Sequence, residues 1–283
     1  MRAVGDEFSG GLNPAPPAAT LSLVIPAFEE EARLPALFEA LERSAVAEVE
    51  RAGMDLVEIL IVDDGSTDRT RQMLEEAAGS DALLKPVFDY EGNRGKGAAF
   101  ASGVEHARGA YVLLADVDLS TPLEELSKLT AAIRNGADIA IGSRAVAGAV
   151  VERGPAHRKL LGGAFNGTVR LLTGLRLRDT QNGFKLFPAD AAKQLVADQA
   201  CPGFAFDVEL LMRAHRAGLQ IAEVPILYVH DSRSSVRVAS ASMQMLKDVA
   251  RLSYRHRLRS RRPRSTISSR RPALTEIPAD DPE

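Results

Sequence analysis

From Leu21 to Ile141 the chain repeats one pattern: a short dense apolar run, then a longer stretch with apolar residues every three or four positions. Residues 21–25 are a run of the first kind, stopped by Pro26, and predict a buried strand. Over 29–50, Leu34, Leu37, Phe38, Leu41 and Val49 fall at helical spacing, with acids at the start, where a helix dipole favours them. The same reading gives strands at 56–62, 83–88, 111–115 and 138–141. Helices are expected from a Ser66 or Thr67 cap to Ala78, over 95–107, and from Pro122 toward Asn135. Strand and helix alternating in this way predict an α/β fold, a Rossmann-like wound mixed sheet whose neighbours in this stretch are parallel, with helices on both faces.

Past Arg144 the pattern loosens. Residues 145–155 read as a small-residue loop, 157–172 as a helix and 179–187 as extended chain. A helix is expected over 207–217. A strand over 221–229 is interrupted by Pro225 and so belongs near an edge. A last helix over 239–257 puts Met243, Leu246, Val249 and Ala250 on one side. Residues 1–20 read as a flexible leader, 21–254 as one domain, and 255–283 as an Arg-rich, disordered tail.

Composition narrows the class. The chain has 283 residues, 45% hydrophobic and 26% charged, which excludes collagen-like, disordered or coiled-coil architecture for its bulk. Cys201 is alone, so neither an internal disulfide nor a paired-cysteine metal knuckle can form, and a reducing compartment is favoured. No run approaches the roughly 18–20 apolar residues of a spanning helix, and no apolar signal region precedes Leu21. The expected location is the cytoplasm. The net charge of −3 divides unevenly: residues 251–283 hold nine Arg and no Lys against four acids, a local +5 that leaves −8 on residues 1–250.

In wound sheets, ligands collect at the carboxyl ends of the strands. Here those ends carry Pro26-Ala27-Phe28-Glu29, Asp63-Asp64-Gly65-Ser66 and Asp116-Val117-Asp118. Each alone also suits a plain turn; three at one edge point to a site. Two carboxylates one residue apart can share a hard divalent cation, Mg²⁺ or Mn²⁺, that needs few protein ligands and neutralises a diphosphate leaving group. Asn93-Arg94-Gly95-Lys96-Gly97 sets two cations and two glycines at a helix start, which suits phosphate, without being a Walker A loop.

Together, Leu23-Val24-Ile25-Pro26-Ala27-Phe28-Glu29-Glu30, Ile61-Val62-Asp63-Asp64-Gly65-Ser66-Thr67-Asp68, Asn93-Arg94-Gly95-Lys96-Gly97 and the Asp116 and Asp118 pair resemble the family 2 glycosyltransferases of GT-A fold. Asp179-Thr180-Gln181-Asn182-Gly183-Phe184-Lys185-Leu186-Phe187 and Phe204-Ala205-Phe206-Asp207-Val208-Glu209-Leu210-Leu211 resemble their dolichyl-phosphate β-glucosyltransferase branch, with the mannose synthases as near relatives. The resemblance runs from about residue 21 to 254. It implies that Pro26, Ala27 and Glu29 line a nucleotide's base and ribose, with Asp63 and Asp64 beside the base. Lys96 lies near the nucleotide, and Asp116 and Asp118 match the ribose and metal aspartates. Ser120 stands where relatives carry Gln or Gly, which leaves the third metal ligand open, with His230 the candidate. Arg144 and Arg158 match arginines offered to a lipid phosphate, a task that suits arginine's planar and permanently charged fork. Gln181, Asn182 and Lys185 are expected at the donor sugar or its phosphates. Asp207 stands where hydroxyl-acceptor relatives keep a base, although Asp at a helix start is also an ordinary N-cap.

The implied activity is an inverting transfer of a hexose to a polyprenyl or dolichyl phosphate, from UDP-glucose first and GDP-mannose second. A phosphate acceptor is already anionic and needs positioning, whereas a hydroxyl acceptor needs a base. Two rivals stand beside it: a GT-A transferase acting on a soluble or polysaccharide hydroxyl, and a non-catalytic nucleotide-sugar or membrane binding protein. The C-terminal helix and Arg-rich tail are expected to dock on anionic lipid, peripherally at the inner face of the membrane. Scarce aromatic residues among the arginines argue against a nucleic-acid partner.

Overall fold

A computed structural model describes residues 19–152, 156–230, 238–259, 267 and 271–274. In chain order, β1 (Ala19–Ala27), α1 (Leu34–Arg51), β2 (Met54–Asp63), α2 (Thr70–Ala78) and β3 (Leu84–Val87) come first. Then follow α3 (Lys96–His106), β4 (Tyr111–Leu114), a 3₁₀ turn at Leu123–Glu125, α4 (Leu126–Arg134) and β5 (Ile139–Ser143). The second half holds β6 (Val150–Glu152), α5 (Ala156–Thr173), β7 (Lys185–Pro188), α6 (Ala189–Val196), α7 (Phe206–Arg216), β8 (Ile221–Pro225), β9 (Leu227–Val229) and α8 (Val238–Arg259).

Seven strands form one mixed sheet in the order β3-β2-β1-β4-β7-β5-β8. All neighbours are parallel except β7, which runs antiparallel between β4 and β5. Alternate residues of each strand point to opposite faces, so the strands feed two cores. Val24, Leu60, Val62, Val112 and Leu114 join Phe100, Phe187 and Phe206 on one face. Leu23, Ile25, Ile59, Ile61 and Leu113 join Leu34, Leu37 and Leu129 on the other. Strands buried on both faces explain why the apolar runs are dense rather than alternating.

Several elements differ from expectation, each for a local reason. The N–H groups of Glu29, Glu30 and Glu31 donate to Ser66 Oγ, Thr70 Oγ1 and Asp68 Oδ2, and Glu29 takes φ 57°. Residues 29–33 are therefore a rim tied to the next loop, and α1 starts at Leu34. The stretch 179–184 is turn rather than strand, because Asp179 and Asn182 side chains accept the N–H groups of Gln181 and Phe184. The loop over 145–155 contains β6, paired with β9 in a separate two-stranded ribbon. The strand expected over 221–229 is two: it leaves the main sheet at Pro225 and crosses to that ribbon. Helix α6 had no counterpart in the sequence reading.

The last helix matches the one expected over 239–257. Helix α8 passes residue 254 and reaches Arg259. Met245 on α8 meets the side chain of Gln181, and two turns later Ser253 Oγ donates to the carbonyl of Leu172. Arg271 to Leu274, expected within a disordered tail, lie against the body. Arg271 Nε donates to Asp138 Oδ1 at 2.8 Å, and the Tyr111 hydroxyl donates to the Pro272 carbonyl at 2.8 Å. Leu274 packs on one core and Ile267 on the other. Tyr111 opens β4, so this strap crosses the edge of the sheet opposite Asp116. The rest of the tail and residues 1–18 lie outside the described residues. Among the described residues no helix is long and apolar enough to cross a membrane.

Candidate active site

The parallel strands of the main sheet end at one edge, and β7, running the other way, starts there. Lys185 accordingly pairs with Leu114 at the end of β4 and with Ile141 of β5. Over this edge lie the loops after β1, β2 and β4. The exposed Glu29 carboxylate accepts the N–H and hydroxyl of Thr67 at 2.8 and 2.9 Å, joining two of them. Buried Asp63 accepts the Ser66 N–H at 3.1 Å. Asp64 accepts the N–H groups of Arg94 and Gly95 at 2.9 and 2.6 Å, which fastens the glycine-flanked Lys96 turn to the end of β2. Burial, opposed by those donors, leaves the Asp64 carboxyl above its ordinary range. Pro26 and Ala27 are buried within β1 and form the wall behind this rim.

Three cations and three acids meet beneath it as pairs. The Lys96 ammonium donates to Asp116 Oδ1. Arg144, 31% exposed, is gripped along one edge by Asp179, from Nε to Oδ2 at 2.7 Å and from Nη2 to Oδ1 at 2.9 Å, and its guanidinium lies 5.0 Å from the centre of the Tyr228 ring. Lys185, fully buried, donates to Asp207 Oδ1 at 2.5 Å. Burial alone would raise Asp116; Lys96 first, then Lys185 and Arg144, outweigh it and hold the carboxyl below its usual range. Burial would likewise lower Lys96, but Asp116 and Asp207 raise it above the ordinary lysine value. Asp207 is raised, chiefly by burial, with Lys185 and Lys96 opposing.

Asp118 is the acid without a cation of its own in this set. It accepts the Ser120 N–H at 2.9 Å, and burial followed by the charge of Asp116 raises its carboxyl. Glu30 shares the same negative field: burial pushes it up to about 7, with Asp118 and Asp116 adding to the effect and Arg33, 3.3 Å away, opposing it. A divalent cation would relieve this repulsion. Two carboxylates one residue apart, with room for water or phosphate oxygens to complete the shell, fit Mg²⁺ or Mn²⁺. Among the described residues no group of three acidic, His or Cys side chains is arranged around a metal position. The set expected of Asp116, Asp118 and His230 is therefore not assembled. His230 follows the ribbon, where its N–H donates to the Glu152 carbonyl at 3.2 Å.

Other expected contacts are redirected. Lys185 and Asn182, read as donor-binding residues, are buried and bonded to protein. Gln181 stays half-buried beside α8. Arg144 presents only the edge that Asp179 leaves. Asp207 is not an N-cap, since α7 is capped at Ala205 without a side-chain bond. Arg158 belongs to α5, and its side chain lies outside the described residues. Asp179, Glu30 and Tyr228 were missed as site residues. Asp179 and Glu30 lie inside the motifs that carry the resemblance, and Asp179 is marked there as an acid opening the run that holds Gln181, Asn182 and Lys185.

The sequence model described as Glycosyl transferase family 2 matches residues 22–211. The dolichyl-phosphate beta-glucosyltransferase of Saccharomyces cerevisiae is 33% identical over 255 residues, covering 83% of this chain and 75% of the yeast protein. The Homo sapiens dolichyl-phosphate beta-glucosyltransferase is 32% identical over 250 residues, covering 85% and 76%. Among solved structures, glucosyl-3-phosphoglycerate synthase from Mycobacterium tuberculosis matches with a TM-score of 0.61 at 19% identity, over 83% of this chain and 80% of that one. Mannosyl-3-phosphoglycerate synthase from Rubrobacter xylanophilus matches with a TM-score of 0.59 at 19% identity, over 88% and 78%. At such identities the structural likeness speaks for the fold, which is GT-A. Fold, strand-end acids and sequence relatives agree: the chain is a hexosyltransferase and belongs to glycosyl transferase family 2, alongside the dolichyl-phosphate β-glucosyltransferases.

Proposed function

We propose that the protein transfers glucose from UDP-glucose to the phosphate of a polyprenyl or dolichyl carrier, with inversion at the anomeric carbon. The observation that carries this reading is the closure of Asp207 by Lys185 in a site that otherwise gathers cations around Asp116. A hydroxyl acceptor must lose a proton to a base as it attacks. A lipid phosphate, with a second pKa of about 6, is anionic beforehand. The names of the yeast and human relatives support glucose and dolichyl phosphate. The mycobacterial synthase crystallised with Mn²⁺ and uridine-diphosphate-glucose supports that donor and a divalent ion.

In this reading Pro26, Ala27, Glu29, Asp63 and Asp64 shape the wall for base and ribose, and Lys96 and Gln181 border the diphosphate and sugar. Asp116 and Asp118 would hold Mg²⁺ or Mn²⁺. When bound, the ion neutralises charge on the departing diphosphate. Arg144, with Arg158 from α5, orients the acceptor phosphate. One of its oxygens bonds to C1 of the glucose while the C1–O bond to the diphosphate breaks, and the electron pair leaves on UDP. Catalysis is then positioning and charge stabilisation. The arginines of 255–264 attract anionic lipid, at about 1 kcal/mol per basic residue near the surface, and keep the protein peripheral at the cytoplasmic face.

Incubation with Mn²⁺, polyprenyl phosphate and labelled donors should make glucose label lipid-extractable from UDP-glucose and leave GDP-mannose unused. Asp118→Ala should lower transfer by about 10²-fold or more without lowering the melting point. Full transfer in that variant or in EDTA overturns the metal assignment; label passing only to a hydroxyl acceptor overturns the acceptor.

A further inference from the structure

Asp207 does neither job that its position suggests. Its carboxylate does not cap α7, and its side chain is only 6% exposed, which leaves no approach for an acceptor hydroxyl. Its partner Lys185 makes a second bond, to the carbonyl of Asn182. That bond closes a tight turn over 182–185. Asn182 fixes the same turn from within: Oδ1 accepts the Phe184 N–H at 2.9 Å, and Nδ2 reaches Thr121 Oγ1, beyond the Asp118 loop, at 3.3 Å. Gly183 sits in this turn directly against the Asp116 carboxylate. A Cβ built on Gly183 would stand 2.2 to 2.4 Å from both oxygens and the carboxyl carbon of Asp116. The carboxylate thus rests on a bare Cα, and an alanine there would have to push it away.

We infer that Asp207 is a positioning residue for the donor site: through Lys185 it locks the 182–185 turn, and Gly183 in that turn is the floor that fixes Asp116. The inference rests on the reading of Asp116 as a residue of the donor diphosphate and its ion. Electrostatics act in the same direction, because the Lys185 charge also bears on Asp116. Removal of the Asp207 charge leaves an ammonium buried without its counter-ion, a costly state that relaxes by moving the lysine and the turn it holds.

The test is UDP binding by calorimetry, with and without Mn²⁺, for the wild-type protein, Asp207→Asn and Gly183→Ala. Both variants should lose about ten-fold or more of the affinity for UDP in Mn²⁺, as substitutions behind a metal ligand do, and stay within about two-fold of wild type for UDP alone. Asp207→Asn that binds UDP and Mn²⁺ like wild type while transfer collapses would mark a base and overturn the inference. Gly183→Ala alters no charge, so it decides the matter if Asp207→Asn fails to fold: wild-type affinity there also overturns it. A wild-type protein that does not bind UDP with Mn²⁺ sinks the donor reading and the inference together, whereas normal binding by wild type and variants alike sinks the inference alone.

Discussion

Glu30 enters the fold carrying a cost. Its unfolded carboxyl titrates near 4.5 and its folded one near 7, raised first by burial. Between those values the folded state holds the extra proton, so this group's contribution to stability is fullest below about pH 4.5 and is lost as pH rises through 7. Glu30→Gln should therefore stabilise the protein at pH 8 by on the order of 1–3 kcal/mol, about 2–4 °C of melting point per kcal/mol, and change little at pH 4.5. Calorimetry at both pH values checks this; an equal shift at both would show that ionisation is not the cause. Asp116, Asp118 and Lys96 were legible in the sequence because strand ends and flanking glycines mark them. Glu30 and Asp179 were not, since each acquires its meaning from a partner distant in the chain, Asp118 for one and Arg144 for the other.

Elements were legible where one period dominated. The two-face burial of β1, β2 and β4 gave dense apolar runs, and α3, α4 and α7 kept their helical spacing. Ribbon strand β6 was hidden because its three residues are exposed and set among small ones. The turn over 179–184 was hidden because side chains, not strand neighbours, satisfy its backbone. Close contact between α3 and α7 was equally silent. A Cβ on Gly97 would stand 2.5 Å from Phe206 Cβ and 2.9 Å from the Cys201 carbonyl, and Phe206 is packed against Phe100 with ring centres 5.7 Å apart. Gly97→Ala should thus lower stability by about 1–3 kcal/mol, the usual penalty of overpacking. An unchanged melting point would mean that α7 yields without cost.

At the scale of the whole molecule, the division of charge into −8 and +5 meets a chain that is fastened at both sides of its arginines. The segment 260–266 is bounded by α8 on one side and, on the other, by Ile267 and the strap of Arg271 and Pro272 on Asp138 and Tyr111. Replacing Arg261, Arg262 and Arg264 together with Ala should weaken sedimentation with phosphatidylglycerol vesicles by on the order of ten-fold or more and leave UDP affinity unchanged. Equal loss of both would remove the membrane role. Deletion from residue 255 is a poorer experiment, because it also takes the partner of Asp138 and the acceptor of the Tyr111 hydroxyl.

The strap has a geometric corollary. It is fixed at the first residue of β4, while Asp116 stands just past the last, and α8, about 33 Å long for its 22 residues, meets Gln181 through Met245 and Leu172 through Ser253. The tail and the candidate site therefore share one strand, the strap tied to its start and Asp116 set past its end.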